Sequence, residues 1–419
     1  MKKVILLMLL LLGIISFASC EKKNDPDPPT TPIIVGDLSF TYNSARDAYD
    51  VAVNPTSRAT VTEITVPDIF EGKPVNLISD FSYCIELKRI TLPDCVLYIS
   101  DGAFLNCGEL CEINLPESLI YVGRDVFVGC AALIKTENGA SYVDNWLVSC
   151  YPDFDSIAVR EGTFGFVKDA FSNGNMTSLF LPATLRRIGN LAYTLGERPL
   201  LDTLTVSAEN PIYHSTENCL IETETSTLVR GNRTGFIPAY IKIIGEFAFK
   251  GSDFEAITLP HGVTTIDAYA FHNCRKLRAV SLPDTLTVIG VCAFFDCVNL
   301  WNINFPENLS TISYMAFYRC TVLKTVILPD SVNTIEDAAF YDCTGLRTIV
   351  IPATIQRILP STFHNQQNLA IYYCGTDTLH LPIVNPPRLY YYKAEKPTEN
   401  HKSYWHYVDG VPTVWHQYD

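Results

Sequence analysis

Seven of the 14 cysteines share one position. Cys84, Cys107, Cys130, Cys274, Cys297, Cys320 and Cys343 each stand three residues after a phenylalanine. Thiols in such a column could bridge as disulfides, hold a metal as thiolates, or pack as neutral side chains. A column facing a core favours the third use, because a buried free cysteine behaves as a small hydrophobe. Bridges between neighbours stay geometrically open, since strand-neighbour Cα spacing is near the range a disulfide tolerates. Cys95 and Cys111 lie off the column and are left open as a pair. Other chemistry is sparse. The chain has no G-x-S-x-G, H-E-x-x-H, P-loop or G-x-G-x-x-G pattern. His401, His406 and His416 are unevenly spaced and read as surface or cap residues. Asp284, Glu307, Asp330 and Asp337 sit in turns, where short polar residues are structural, and no two acids pair convincingly. The expectation is a non-catalytic chain without metal or cofactor. Its remaining candidates for ligand contact are the aromatics of the C-terminal stretch, chiefly Tyr391, Tyr392, Trp405, Tyr407 and Trp415.

The elements that position these residues come from a fixed step. Phe271, Phe294, Phe317, Phe340 and Phe363 are 23 residues apart, and Pro260, Pro283, Pro306, Pro329 and Pro352 keep the same step. A period in this range marks a solenoid in which each unit buries its apolar face only against neighbours. Within one unit Ile303, Asn304 and Phe305 alternate in, out, in, which is strand spacing. Pro306 lacks an N–H for the ladder and ends the strand. A second short apolar stretch, Leu309 to Ile312, runs back, and Ala316-Phe317 closes the coil. Like residues should form ladders up the stack, about 4.8 Å apart. The fold class expected is therefore a β-rich leucine-rich-repeat solenoid of stacked coils with parallel strands.

The register marks the domains. Residues 67–370 carry the repeat, preceded at 37–66 by alternating stretches that suit a β cap and followed at 371–419 by an aromatic-rich cap. Two breaks, near 134–160 and 206–237, resemble each other and read as β-hairpins attached to one face of the stack. Insertions of this kind often mark the working face.

The first 20 residues place two lysines before an apolar run too short to span a bilayer, as in a secretory signal. The run ends in Phe17-Ala18-Ser19-Cys20, which resembles a bacterial lipobox; that resemblance makes Cys20 the lipidated N-terminus of the mature protein. Several acyl chains at one residue anchor stably where one alone is marginal. Residues 21–36 are Pro-rich and polar and read as a semi-rigid tether. Charged residues make up only 18% of the 419, with a net charge of −14, which argues against nucleic acid or anionic lipid headgroups as partners.

The full unit, L-x-x-I-x-L-P-x-x-L-x-x-I-x-x-x-A-F-x-x-C, is seen at Leu277 to Pro283, Ile289, Ala293-Phe294 and Cys297. It resembles the BspA-like leucine-rich repeat of bacterial surface proteins. Tyr391-Tyr392-Lys393 and Tyr404 to Gly410 are similar to tails that follow such repeats, and the lipobox suits lipoproteins of the Bacteroides group. The resemblance implies a curved solenoid on the outer membrane, facing outward. It implies a protein ligand from host matrix or another cell surface, and it transfers no catalytic residue. Two alternatives stand beside this: a periplasm-facing envelope scaffold, and a carbohydrate-binding accessory lipoprotein that uses the C-terminal aromatics to hold a glycan.

Overall fold

The coil from Leu277 to Asn299 shows how the repeat folds in the computed structural model, which describes residues 31–151, 153–172, 176–189, 191, 195, 201–366, 368–375, 388–395, 397, 403–409 and 411–415. Its first strand, Ala279–Ser281, lies parallel between Ala256–Thr258 and Asn302–Ile303 of the neighbouring coils. Pro283 stops it, and a second strand, Val288–Ile289, pairs in parallel with Thr265–Ile266 of the preceding coil. Leu277, Val280, Leu282, Leu286, Ile289, Ala293, Phe294 and Cys297 are all buried. The in-out alternation and the proline stop thus read through from sequence to strand.

The third side of each coil is a turn. Phe271 N–H donates to Ala293 O at 2.8 Å, Phe294 to Ala316 at 2.8 Å and Phe317 to Ala339 at 2.9 Å. These bonds hold the phenylalanine rings in a buried stack, with centroids 5.0 Å apart for Phe271–Phe294 and 5.3 Å for Phe294–Phe317. Offset-stacked rings at such spacing add to the apolar burial. Closing the corner requires two left-handed residues per coil. One precedes the Ala-Phe pair, as at Cys292 (φ 53°), Met315 (51°) and Ala338 (54°); the other follows it, as at Asn273 (60°), Asp296 (59°) and Arg319 (57°). The second position is often Asn or Asp, which tolerate this region best; the first carries side chains that do not.

The two interruptions are built into the stack, which corrects the expectation of hairpins attached to one face. Lys135–Glu137, Ala140–Val143 and Trp146–Cys150 form an antiparallel meander, and its last strand pairs in parallel with Gly165–Phe166 of the next coil. Tyr213–Thr216, Cys219–Glu222 and Thr227–Arg230 repeat the design and hand over to Ile243–Ile244. The N-terminal strands Ile33–Val35, Leu38–Asn43 and Ala48–Val53 do the same before Lys73–Ile78. The reason lies in the alternation of the strands. Trp146 joins the core of residues 40–167 while its neighbour Leu147 joins the core of residues 140–220. Leu220 lies in that second core, whereas Cys219 and Ile221 lie in the third, which runs to Tyr373. A strand apolar on both faces cannot sit on a surface; it must lie between two packed layers.

At the C-terminal end Ala370–Tyr373, Arg388–Tyr392 and Tyr404–Val408 extend the first-strand sheet in parallel, and Val411–Val414 closes it antiparallel. Among the described residues no helix is long and apolar enough to cross a membrane.

Candidate binding surfaces

The cysteine column is a row of hydrogen-bond donors. Cys107 Sγ lies 3.1 Å from Phe81 O, Cys130 3.0 Å from Phe104 O, and Cys274 3.0 Å from Phe249 O. The series continues with Cys297 to Phe271 O (3.1 Å), Cys320 to Phe294 O (3.4 Å) and Cys343 to Phe317 O (3.0 Å). In the next coil the Cys position is Gln366, whose Nε2 donates to Phe340 O at 2.6 Å. Each of these carbonyls from Phe104 onward already accepts from the N–H three residues on, as Phe271 O does from Cys274 N at 3.2 Å, and its second lone pair is open to a donor from the next coil. The thiol supplies it at nearly apolar cost. Burial pushes Cys343 up to about 12 and raises Cys297 and Cys320 well above the ordinary thiol range. Cys297, Cys320 and Cys343 are therefore neutral donors at any physiological pH. All 13 cysteines from Cys84 onward are free, including Cys95 and Cys111, so the pairing left open for those two is absent. Cys95 instead points its thiol at Asp68 O and Val75 O, at 3.2 and 3.3 Å.

The C-terminal aromatics divide. Trp405 is fully buried and its Nε1 donates to Tyr373 O at 3.1 Å, so it is the core of the cap and leaves any contact surface. Tyr392 and Tyr407 pack edge-on or tilted around it, with Trp405–Tyr407 centroids 4.9 Å apart. Tyr391 packs against the third core. Trp415 stacks on His406 and donates to Lys393 O at 3.0 Å. Of the five, Tyr407 is the most open, at 46%. The aromatic richness reflects how a small β cap fills its own interior. Cys20, His401 and His416 lie outside the described residues.

One concave feature was not visible as a motif. A groove of about 540 Å³ opens on the first-strand face, lined by Trp301, Ile303, Phe305, Glu307, Lys324 and Ile327 among others. It exists because the ladder stops there. Asn302–Ile303 is the last strand of its sheet, and Thr325–Ile327 begins another. Arg278 O accepts from both Trp301 and Asn302, and Lys324 O from both Arg347 and Thr348, but no backbone bond reaches Trp301 O from Lys324 or Thr325. The sequence at the break differs from its neighbours in two ways. Phe305 stands where the adjacent coils have Leu282 and Leu328; those two are buried while the larger ring is only partly so. The Asn304 side chain also replaces its own backbone, accepting from Leu282 N at 2.8 Å and donating to Leu282 O at 2.9 Å. Asn114 does the same for Leu92, again on the last strand of a sheet, Glu112–Ile113. Asn at the outward strand position before Leu-Pro or Phe-Pro was the available signal for a sheet end. Through the break the turn face stays bonded, so the coils splay on one side only.

Coils with two parallel strands, a turn carrying stacked phenylalanines and a leucine-proline strand end define a leucine-rich-repeat β-solenoid. The profile of the BspA-type leucine-rich repeat region matches residues 78–195 and 242–370 in six copies, more than half of the chain, and the chain belongs to that family. Solved structures similar to it include a leucine-rich cell surface protein from Faecalibacterium prausnitzii, 24% identical, covering 84% of this chain and 97% of its own, with a TM-score of 0.44. A leucine-rich repeat protein from Eubacterium ventriosum is 19% identical over 84% of this chain and 96% of its own, with a TM-score of 0.47. One from Bacteroides ovatus is 19% identical over 81% and 94%, with a TM-score of 0.36. No curated protein matches the chain.

Proposed function

We propose that the protein is a lipid-anchored cell-surface scaffold that binds a protein ligand of host matrix or of another cell through its repeat surface, and that it performs no catalysis. The observation that carries this reading is the uncommitted first-strand face. The coils hold themselves together through the turn bonds, the thiol ladder and the buried core, and leave side chains such as Trp301 (56% exposed) and Ile327 (49%) facing solvent. A large aromatic left exposed beside apolar neighbours is typical of contact surfaces. Membership of the repeat family supports a scaffold, and the segment ending in Cys20 supports a lipid anchor.

Three measurements test the reading. Metabolic labelling with a fatty-acid analogue should mark the wild-type chain and leave Cys20→Ala unmarked. Protease treatment of intact cells should remove the solenoid; a chain that survives untouched while lysed cells lose it would place it on the periplasmic side. Binding of the purified chain to immobilised extracellular-matrix proteins then reads the ligand class directly.

A further inference from the structure

We propose that the groove between Asn302–Ile303 and Thr325–Ile327 binds an extended peptide segment of a partner protein, held by main-chain bonds to the open strand edge and by one apolar side chain seated against Trp301 and Ile327. This rests on the protein-binding reading above and assigns its site. Three observations carry it. The first is the interrupted ladder. Trp301 O and the N–H groups of Lys324 and Thr325 would bond each other in a regular pair of coils, as Arg278 O does with Trp301 and Asn302 N–H, and here they do not. Unpaired edge groups beside an open face template an added strand, the mode in which main-chain bonds give affinity and side-chain pockets give selectivity.

The second is the lining. Trp301, Phe305 and Ile327 form an apolar floor, and Trp301 and Ile327 are about half exposed or more. Buried aromatic anchors dominate such contacts. The third is the rim. Glu307 and Lys324 line the groove with one charge of each sign, and neither makes an ion pair or side-chain hydrogen bond with the described residues; the same holds for Asn302 and Thr325. A rim of mixed sign suits the mixed charges of a peptide and disfavours a polyanion or a polycation. The corresponding outward positions elsewhere are already occupied. Arg89 pairs with Glu63 at 3.0 Å and Glu112 at 2.7 Å, and Arg278 pairs with Glu255 at 3.4 Å.

The test uses a phage-displayed library of random linear peptides, panned on the full chain and counter-selected on Trp301→Ala. Enriched peptides should share an aromatic or branched apolar residue. Synthetic versions should bind the wild-type chain at least tenfold more tightly than Trp301→Ala or Ile327→Ser, both of which should keep the wild-type circular dichroism. N-methylation of single backbone amides next to the anchor should cost tenfold or more at alternate positions. Peptides that bind Trp301→Ala equally, or a flat N-methyl scan, would overturn the proposal, as would a library that yields no enrichment. So would selective binding to a glycan array that Trp301→Ala abolishes, which would make the groove a sugar site. If the chain binds matrix proteins and Trp301→Ala binds them equally, the groove assignment fails and the scaffold reading stands.

Discussion

Replacing Cys297 separates two roles for the thiol column. Its Sγ is buried and sits 3.1 Å from Phe271 O, a carbonyl inside the phenylalanine stack. In Cys297→Ala that carbonyl keeps its 3.2 Å bond from Cys274 N–H and loses its second donor, at about 0.5–1.5 kcal/mol. The missing sulfur adds about 1 kcal/mol of lost packing, by analogy with a buried methylene. The expected total is about 1.5–2.5 kcal/mol. In Cys297→Ser the hydroxyl is a better donor than a thiol and can reach the same carbonyl, so only the packing loss and some geometry remain, about 1 kcal/mol. The order Ser above Ala follows from the bond. A cysteine that acts only as a small hydrophobe gives the reverse, because serine would then bury an unsatisfied hydroxyl at about 1–3 kcal/mol. Solenoids need not unfold in one step, so the readout is hydrogen exchange of the peptides spanning residues 290–325, alongside urea unfolding. Cys297→Ala more protected than Cys297→Ser would refute the donor argument. Gln366→Leu supplies a second case, since it removes the side-chain donor to Phe340 O, leaving the Cys343 N–H alone, without touching a thiol.

The corner before the Ala-Phe pair is left-handed at Gly102 in one coil but at Met315, Cys292 and Ala338 in others, so Met315→Gly should raise the urea midpoint, with about 1 kcal/mol of relieved backbone strain set against the greater freedom of glycine in the unfolded chain. Burial pushes the Asp267 carboxyl up to about 6, above its ordinary value of 3.8. A raised carboxyl destabilises the fold progressively as pH climbs from about 4 to 6 and by a constant amount above, so Asp267→Asn should be more stable by about 1–2 kcal/mol at pH 7.5, with the gain vanishing near pH 4. A gain that persists unchanged at pH 4 would show that the carboxyl is not its source. Trp405→Ala should lower the melting temperature of the C-terminal end by removing a fully buried indole, at about 3–5 kcal/mol, with hydrogen exchange rising first in residues 370–373 and 388–392. Unchanged protection there would return Trp405 to the surface.

The repeat was readable because its physics is local and periodic. Val280 and Leu282 point inward around Ser281 as alternation requires, Pro283 ends the strand, and Cys297 is packed and free. What the period could not show is the partner of each polar atom. The donor role of the cysteines depends on a carbonyl 26 residues earlier, and only stacking brings the two together. The C-terminal aromatics misled for a related reason. Composition says that Trp405 is large and apolar, but whether it faces water depends on Tyr372, Tyr392 and Tyr407 closing around it. The groove was hidden because a single Leu-to-Phe change in the repeat, at Phe305, leaves the pattern apolar while changing the volume a coil must hold. Cores feel such changes through strain. Here the ring of Phe305 stays partly exposed at the open strand face.

The breaks in the period carry the same lesson further. Each of the three antiparallel meanders begins a run of coils, and each ends in a strand that enters a parallel sheet. A growing solenoid exposes a raw apolar edge at its first coil, and a meander covers it. Among the described residues no coil lies beyond that edge at Ile33–Val35. At residues 135–150 and 213–230 it faces the coils before it, and the meander strand has become apolar on both sides, with Leu147 and Trp146, or Leu220 and Ile221, turned to opposite cores. These internal meanders are therefore caps that acquired a second buried face, and the chain is three capped runs in series. A cap between two runs has its inner strands, Ala140–Val143 and Cys219–Glu222, largely buried, and only its outer strand offers surface to a partner. The ligand-facing positions are then those that neither cap nor core claims, and the first-strand edge at Trp301, where a run opens without a cap to cover it, is the place where that condition is met with an apolar floor.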